Sequence, residues 1–122
     1  MLVAYERAGR SVEDLLVDEE RLLSVITVSE LLHGVHRASG AERIRRGAFV
    51  EHVIGTIDAV PISKMIARVH AQLGASLASS GQAIGTHDLW IAATAIIHDF
   101  AVATLNARDF ARVPGLRVLS PA

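Results

Sequence analysis

Residues 83–110, AIGTHDLWIAATAIIHDFAVATLNARDF, decide the fold of this chain. The middle of this stretch is apolar on nearly every side of a helix. It therefore predicts a helix over about 87–98, capped by Thr86 and buried on several sides. The segment AVAT at 101–104 follows closely and predicts a short buried strand. A buried helix that leads into a buried strand is typical of domains in which helices pack on a parallel sheet.

Short apolar runs elsewhere in the chain predict further strands. They are LLSVI at 22–26, IDAVPI at 57–62 and RVL at 117–119. Between them, helical periodicity predicts helices over 41–56 and from Ser63 to about 78. The alternation predicts an α/β fold: one domain over residues 1–122, with a mostly parallel sheet and helices on both faces.

Two helix starts are predicted from capping patterns. Ser11, with Asp14 three residues later, is typical of an N-cap. Thr27 and Glu30 fit the capping box T-x-x-E, which predicts a helix from Thr27 through the segment LLHGVHR.

The composition excludes several classes of protein. The 122 residues are 51% apolar and 20% charged, which is too apolar for a disordered chain. There is no cysteine, so no disulfide framework and no thiolate zinc site can form. The longest apolar run, 89–97, is far shorter than the ~20 residues of a membrane span. With no signal-peptide pattern at the start, we expect a cytoplasmic protein without membrane association.

Three carboxylates lie where the predicted strands end or the helices begin. Glu30 follows the strand at 22–26, Asp88 opens the buried helix, and Asp109 follows the strand at 101–104. Taken singly, each has a structural explanation: a capping box, compensation of the helix dipole, and a turn. Together they converge on one edge of a parallel sheet, where ligands bind.

Converging carboxylates repel one another unless a cation neutralises them. Oxygen ligands without cysteine select Mg²⁺ or Mn²⁺, and such sites serve phosphodiester hydrolysis.

The histidines do not predict a zinc site. His33 and His36 are three residues apart, but no H-E-x-x-H motif and no suitably spaced acid accompany them. His87, beside Asp88, is the exception that a structure can test. Glycine-rich nucleotide loops and the G-x-S-x-G motif are absent from the sequence.

Several stretches together resemble the PIN-domain ribonucleases of the VapC type, the toxin halves of bacterial toxin–antitoxin pairs. They are MLVAYERAG, SVITVSELLHGVHRA, AIGTHDLWIAATAI, AVATLNARDFARVPGL and the tail RVLSP. They cover most of the chain in the family's order and spacing. The resemblance implies a three-layer α/β/α fold and an endoribonuclease that depends on Mg²⁺ or Mn²⁺.

The resemblance also implies which residues form the site. The family's second acid, in its S-E-L motif, falls on Glu30, its third on Asp88 and its fourth on Asp109. These three would be both catalytic residues and metal ligands. Thr104 and Asn106 precede the last acid and would support the site through hydrogen bonds, with His87 as a further supporting residue.

The sequence departs from the family pattern at its beginning. The family opens with a strand that ends in Asp-Thr-Ser, whereas this chain starts at Met1, just after that position. We therefore expect a domain without its first strand and first catalytic aspartate. We also expect weak metal affinity and little activity in the 122-residue chain, with activity restored when upstream codons are added.

The family's partners are expected here too. We expect the apolar stripe of the 63–78 helix to make both core and homodimer contacts, and a VapB-like antitoxin to bind a groove around Leu2–Tyr5 and the 41–56 helix. The alternative is that the stripes on both helices are ordinary core. The net charge of −1 argues against general nucleic-acid coating, so RNA contact needs a local patch. Arg108 and Arg112, which flank Asp109, are the first candidates. The alternative to an enzyme is a catalytically inactive module that binds the antitoxin or acts as a co-repressor.

Overall fold

A computed structural model describes residues 2–3 and 21–120 of the chain. The strands are β1 Leu2–Val3, β2 Leu23–Ser24, β3 Ala59–Val60, β4 Val102–Ala103 and β5 Val118–Leu119. The helices are α1 Val25–Arg37, α2 Gly40–Thr56, α3 Lys64–Ser79, α4 Thr86–His98 and α5 Ala107–Phe110. The predicted N-cap at Ser11 lies outside these residues.

All strand pairs in the described ranges are parallel. β4 lies between β1 and β5, and β2 pairs with β3. A single parallel bridge between Leu2 and Leu22 joins the two groups, so the strand order across the molecule is β3-β2-β1-β4-β5. The predicted parallel sheet is confirmed, and β1 lies at its centre.

The prediction that the sheet lacks a strand at this central position is wrong. Leu2–Val3 lies there, and the Leu2 amide donates to the Ala101 carbonyl at 2.8 Å. Leu2 is completely buried, and its burial explains why an apolar segment takes this place. Both neighbouring strands thereby keep a backbone partner, but β1 itself contributes no carboxylate.

The start of α1 also differs from the prediction. The helix begins at Val25, and its N-cap is Ser24, whose Oγ accepts a hydrogen bond from the Ile26 amide at 3.1 Å. Thr27 therefore lies inside the helix, fully buried, and the predicted capping box is wrong. Serine is at least as good an N-cap as threonine. Because Ser24 lies at the end of β2, the helix begins directly after the strand. The cap explanation for Glu30 disappears with that box.

The other predicted helices are confirmed with small changes at their ends. Ser63 caps α3 as predicted, since its Oγ accepts from the Ile66 amide at 3.2 Å. Thr86 is the first residue of α4 and not its cap, because Gly85 takes the N-cap position without a side-chain hydrogen bond. Residues 91–95 of α4 are all buried, as its apolar surface predicts.

Two apolar cores lie on opposite faces of the sheet, which confirms the three-layer arrangement. One core joins α1 and α2 to β2, and its buried members are Leu23, Leu31, Val50, Val53, Ile57 and Ala103. The other joins α3, α4 and α5 to β1 and β4, and its buried members are Leu2, Leu77, Ile91, Ala92, Ala95, Val102, Phe110 and Val113.

The two cores bury several of the apolar side chains that the sequence predicts to contact partner proteins. The apolar side of α2 is packed against α1 and β2, and Leu2 is buried, while residues 4 and 5 of the predicted antitoxin groove lie outside the described ranges. On α3, Ile66 and Leu77 are core residues, whereas Met65 is 61% exposed. Within the described ranges, no helix has the length and apolarity that crossing a bilayer requires.

Candidate active site

The three predicted acids lie at one edge of the sheet, each on a different helix. Glu30 is in the second turn of α1, which follows β2 directly. Asp109 is on α5, four residues beyond the turn that ends β4, and Asp88 is in the first turn of α4. All three side chains are only partly exposed. The parallel strands end at this edge, so the fold brings together residues far apart in sequence.

Asn106 joins two of the acids. Its side-chain Nδ2 donates to Oδ2 of Asp88 and to Oδ2 of Asp109, each at 3.2 Å. An amide nitrogen carries two hydrogens, so one Asn106 side chain can serve both carboxylates. Asn106 therefore supports the two aspartates by donating a hydrogen bond to each of them.

Thr104 fixes the backbone that carries Asn106. Its Oγ1 accepts a hydrogen bond from the Asn106 amide at 2.8 Å, and its own amide donates to the Leu119 carbonyl at 3.0 Å. The residue is completely buried at the end of β4. Asn106 is thus held to the sheet through Thr104 and does not hang on a free loop.

Glu30 and His87 form a second pair. His87 Nδ1 lies 3.4 Å from Oε2 of Glu30, whose side chain is 26% exposed. Both residues line an open surface pocket together with Gly85, Thr86 and Asp88. Gly85 and Thr86 are not among the site residues predicted from the sequence, although they directly precede His87 and Asp88.

The environment of Asp88 and Glu30 opposes their ionisation. Burial raises the pKa of Asp88 above its ordinary value, and the nearby Asp109 charge raises it further. Burial also raises the pKa of Glu30, and this effect outweighs the opposing influence of His87. Within the described ranges, no lysine or arginine forms an ion pair with any of the three acids.

The acids are neighbours but do not form a closed ligand shell. Among residues 2–3 and 21–120, no three histidine, aspartate or glutamate side chains are placed closely enough to hold a metal ion. The donor set itself fits a hard cation, since it consists of carboxylate oxygens that no lysine or arginine of the described residues pairs with. A cation would remove the repulsion that raises the pKa of Asp88.

The two arginines predicted to contact RNA differ in their surroundings. Arg112 donates from Nη1 to the Ala83 carbonyl at 2.9 Å, which ties it to the loop before α4. Arg108 is exposed on α5. The geometry gives Arg112 a structural function and leaves Arg108 accessible.

Comparison with known proteins places this arrangement in a family. Residues 2–116 match the PIN domain. The chain belongs to the PIN-domain family. Ribonuclease VapC1 of Rickettsia felis is 36% identical over 98% of this chain and 90% of its own length.

Two solved structures show the same fold as this PIN domain. The VapBC-5 toxin–antitoxin structure from Mycobacterium tuberculosis matches with a TM-score of 0.82 and 30% identity, over 98% of this chain and 96% of that one. The DNA-bound VapBC structure from Salmonella typhimurium matches with a TM-score of 0.81 and 25% identity, over the same shares. The resemblance to VapC-type PIN domains is thus confirmed, and with it the fold class.

Proposed function

We propose that this PIN domain is an endoribonuclease that depends on Mg²⁺ or Mn²⁺, the toxin of a VapBC-type pair. The observation that carries the proposal is the sharing of Asn106 by Asp88 and Asp109, with Glu30 close enough to Asp88 for their charges to interact. Structural carboxylates are usually paired with a lysine or arginine or fully solvated, whereas these three are partly buried and none pairs with a described lysine or arginine. Relatives that are named ribonucleases support the assignment of substrate.

Glu30, Asp88 and Asp109 would hold the divalent ion. When bound, the ion would supply an activated water and would stabilise charge on the scissile phosphate. In the absence of a bound cation, Asn106 orients Asp88 and Asp109 and limits the repulsion between them. His87 restrains Glu30 through the 3.4 Å contact, and its 59% exposure leaves the ring able to move aside.

RNA cleavage tests this proposal. A labelled mixed-sequence RNA is incubated with excess protein in Mn²⁺, in Mg²⁺ and in EDTA. We expect slow cleavage that needs the metal and that falls at least tenfold in Asp88→Asn and Asp109→Asn. Glu51→Gln, an exposed acid on α2 away from the site, serves as the matched control and should cleave as the parent chain does.

If the chain cleaves no RNA in either metal, or if Asp88→Asn cleaves like Glu51→Gln, the proposed enzyme activity is wrong.

A second candidate is a catalytically inactive module that binds an antitoxin and acts with it on promoter DNA. The observation that favours it is the open acid set: β1 carries no carboxylate, and the described acids do not close on a metal position. The DNA-bound VapBC relative supports this alternative. Promoter binding with an antitoxin, without any metal-dependent cleavage, would favour it over the enzyme.

Two partners belong to the proposal. A VapB-like antitoxin is supported by the relatives solved as VapBC complexes. Glu30, Asp88 and Asp109 together are here called the acid edge. A basic residue of the antitoxin could neutralise the acid edge as a metal would. The exposed Met65 on α3 supports a homodimer through that helix, which sedimentation of the purified chain tests.

A further inference from the structure

The α1–α2 hairpin ends in a strongly basic surface, here called the basic tip and defined as residues 37–46. It holds four arginines, Arg37, Arg43, Arg45 and Arg46, and one acid, Glu42, for a net charge of +3. The rest of the chain has eight basic and twelve acidic residues, so its net charge is −4. A third of the positive charge of the protein is thus concentrated in ten residues.

The basic tip projects beyond the apolar core. Every residue from 39 to 46 is exposed, whereas the second half of α2 packs on the sheet through Val50, Val53 and Ile57. Arg45 and Arg46 share Glu42, with nitrogen–oxygen distances of 2.6 and 2.8 Å. Such exposed pairs contribute little free energy, so these guanidinium groups can exchange Glu42 for another anion.

Arg37, at the α1 end of the tip, lies on the same side of α1 as Glu30, and Arg46 reaches α1 through the Gly34 carbonyl. Glu30, His33 and Arg37 are spaced i, i+3 and i+7, which places them along one side of the helix. The rise of 1.5 Å per residue separates Glu30 from Arg37 by about 11 Å along the axis. A strand of nucleic acid lying over the acids would therefore continue onto the tip.

We propose that the basic tip binds the phosphate backbone of the RNA substrate and holds it across the acid edge. The inference rests on the proposed ribonuclease function. Guanidinium groups bind phosphate oxygens in a bidentate manner, and backbone contacts of this kind need no apolar area. A protein partner would find little apolar surface here, since Ala41 and Ile44 are the only apolar residues exposed between 39 and 46.

The test measures binding of a fluorescein-labelled single-stranded RNA 20-mer to the 122-residue chain by anisotropy, in EDTA and from 50 to 200 mM KCl. The variant is Arg43→Ala/Arg45→Ala, which keeps Arg46 and its contact with the Gly34 carbonyl. The matched control is Lys64→Ala/Arg68→Ala, which removes two exposed cations from α3. Circular dichroism confirms that each variant is folded.

Two lost phosphate contacts should reduce the slope of log K against log salt by about 1.4, at ~0.7 per contact for a single strand. Over a fourfold range of salt, the affinity of the parent chain should then fall roughly sevenfold more than that of the variant. Glu42→Gln should bind more tightly than the parent, because it releases Arg45 and Arg46. The control should keep the parent slope.

Three results would overturn the inference. One is a tip variant with the parent affinity and slope, and another is an equal loss in the α3 control. The third is displacement of the RNA by an equimolar 20-residue polyglutamate peptide, which would mark the tip as a surface for acidic proteins. Failure of the ribonuclease proposal is distinguishable, since a parent chain that binds RNA through the tip but cleaves none in Mn²⁺ or Mg²⁺ would contradict only that proposal.

Discussion

Asp88 and Asp109 accept hydrogen bonds from one and the same atom, Nδ2 of Asn106, at 3.2 Å each. Two partly buried carboxylates are thereby held together, and neither forms an ion pair with an arginine or lysine of residues 21–120. The neutral amide lowers the cost of bringing the charges together but does not cancel either charge. The repulsion that remains between the two carboxylates is what the proposed cation would remove.

Asn106→Ala should destabilise the metal-free chain by about 1–3 kcal/mol, because two carboxylates lose their shared donor. Urea denaturation measures the change. The matched control is Gln72→Ala, an exposed amide on α3, which should stay within about 0.5 kcal/mol of the parent. Saturating Mn²⁺ should reduce the loss in Asn106→Ala. A loss no larger than that of Gln72→Ala would contradict the role assigned to Asn106.

The raised pKa of Asp88 predicts a pH dependence of stability. A folded-state pKa above the ordinary value of 3.8 means that the folded chain binds the proton more tightly than the unfolded chain. The parent should therefore lose stability as the pH rises from about 4 through the raised pKa of Asp88. Asp88→Asn has no such titration.

In metal-free buffer at pH 7, Asp88→Asn should melt a few degrees above the parent, the order expected for about 1 kcal/mol in a domain of this size. The difference should shrink as the pH is lowered to about 4. Thermal denaturation from pH 4 to pH 7 measures it. A variant that is less stable than the parent across the whole range would show that the Asp88 charge is well compensated.

His87 is predicted to lower the pKa of Glu30, since its charge and its contact favour the ionised carboxylate. His87→Ala should therefore raise the pKa of Glu30 further above its ordinary value. A ¹³C NMR titration of the Glu30 carboxyl carbon measures this, with His52→Ala on α2 as the control. An unchanged titration curve would mean that the two side chains do not interact in solution.

Ser24 and Thr27 distinguish the observed start of α1 from the start that the sequence predicts. Ser24→Ala removes the observed cap and should cost about 1 kcal/mol. Thr27→Val should stabilise the chain, because the Oγ1 of Thr27 is buried without a hydrogen-bond partner. Urea denaturation of both variants decides whether Ser24 or Thr27 caps α1. The opposite order of stability would restore Thr27 as the cap.

The sequence predicts the layers of this domain better than the ends of its elements. The all-round apolar surface of α4 and the stripe on α2 correctly indicate their burial, because burial follows from periodicity alone. The sequence does not locate the cap of α1, since Ser24 and Thr27 are both residue types that cap helices and the end of β2 cannot be placed to the residue from the apolar run. The position of β1 was missed because its pairing with β4 is a contact between residues about one hundred positions apart.

In the site, the sequence predicts which acids come together but not the side-chain contacts between them and their neighbours. The three acids could be selected from the sequence because each lies where a strand ends or a helix begins. The double hydrogen bond of Asn106 and the contact of His87 with Glu30 depend on side-chain positions across different helices, which spacing does not encode. The sequence selects Arg112 as an RNA contact from its position beside Asp109 but does not show that its Nη1 donates to the Ala83 carbonyl.

Binding of Mn²⁺ to the 122-residue chain, followed by the electron paramagnetic resonance of the free ion, tests the central claim most directly. We expect weak binding that falls at least tenfold in Asp88→Asn and in Asp109→Asn, while Glu51→Gln binds as the parent does. Equal binding by the parent, Asp88→Asn and Glu51→Gln, or no binding by the parent at millimolar Mn²⁺, would contradict the claim that these acids form a metal site.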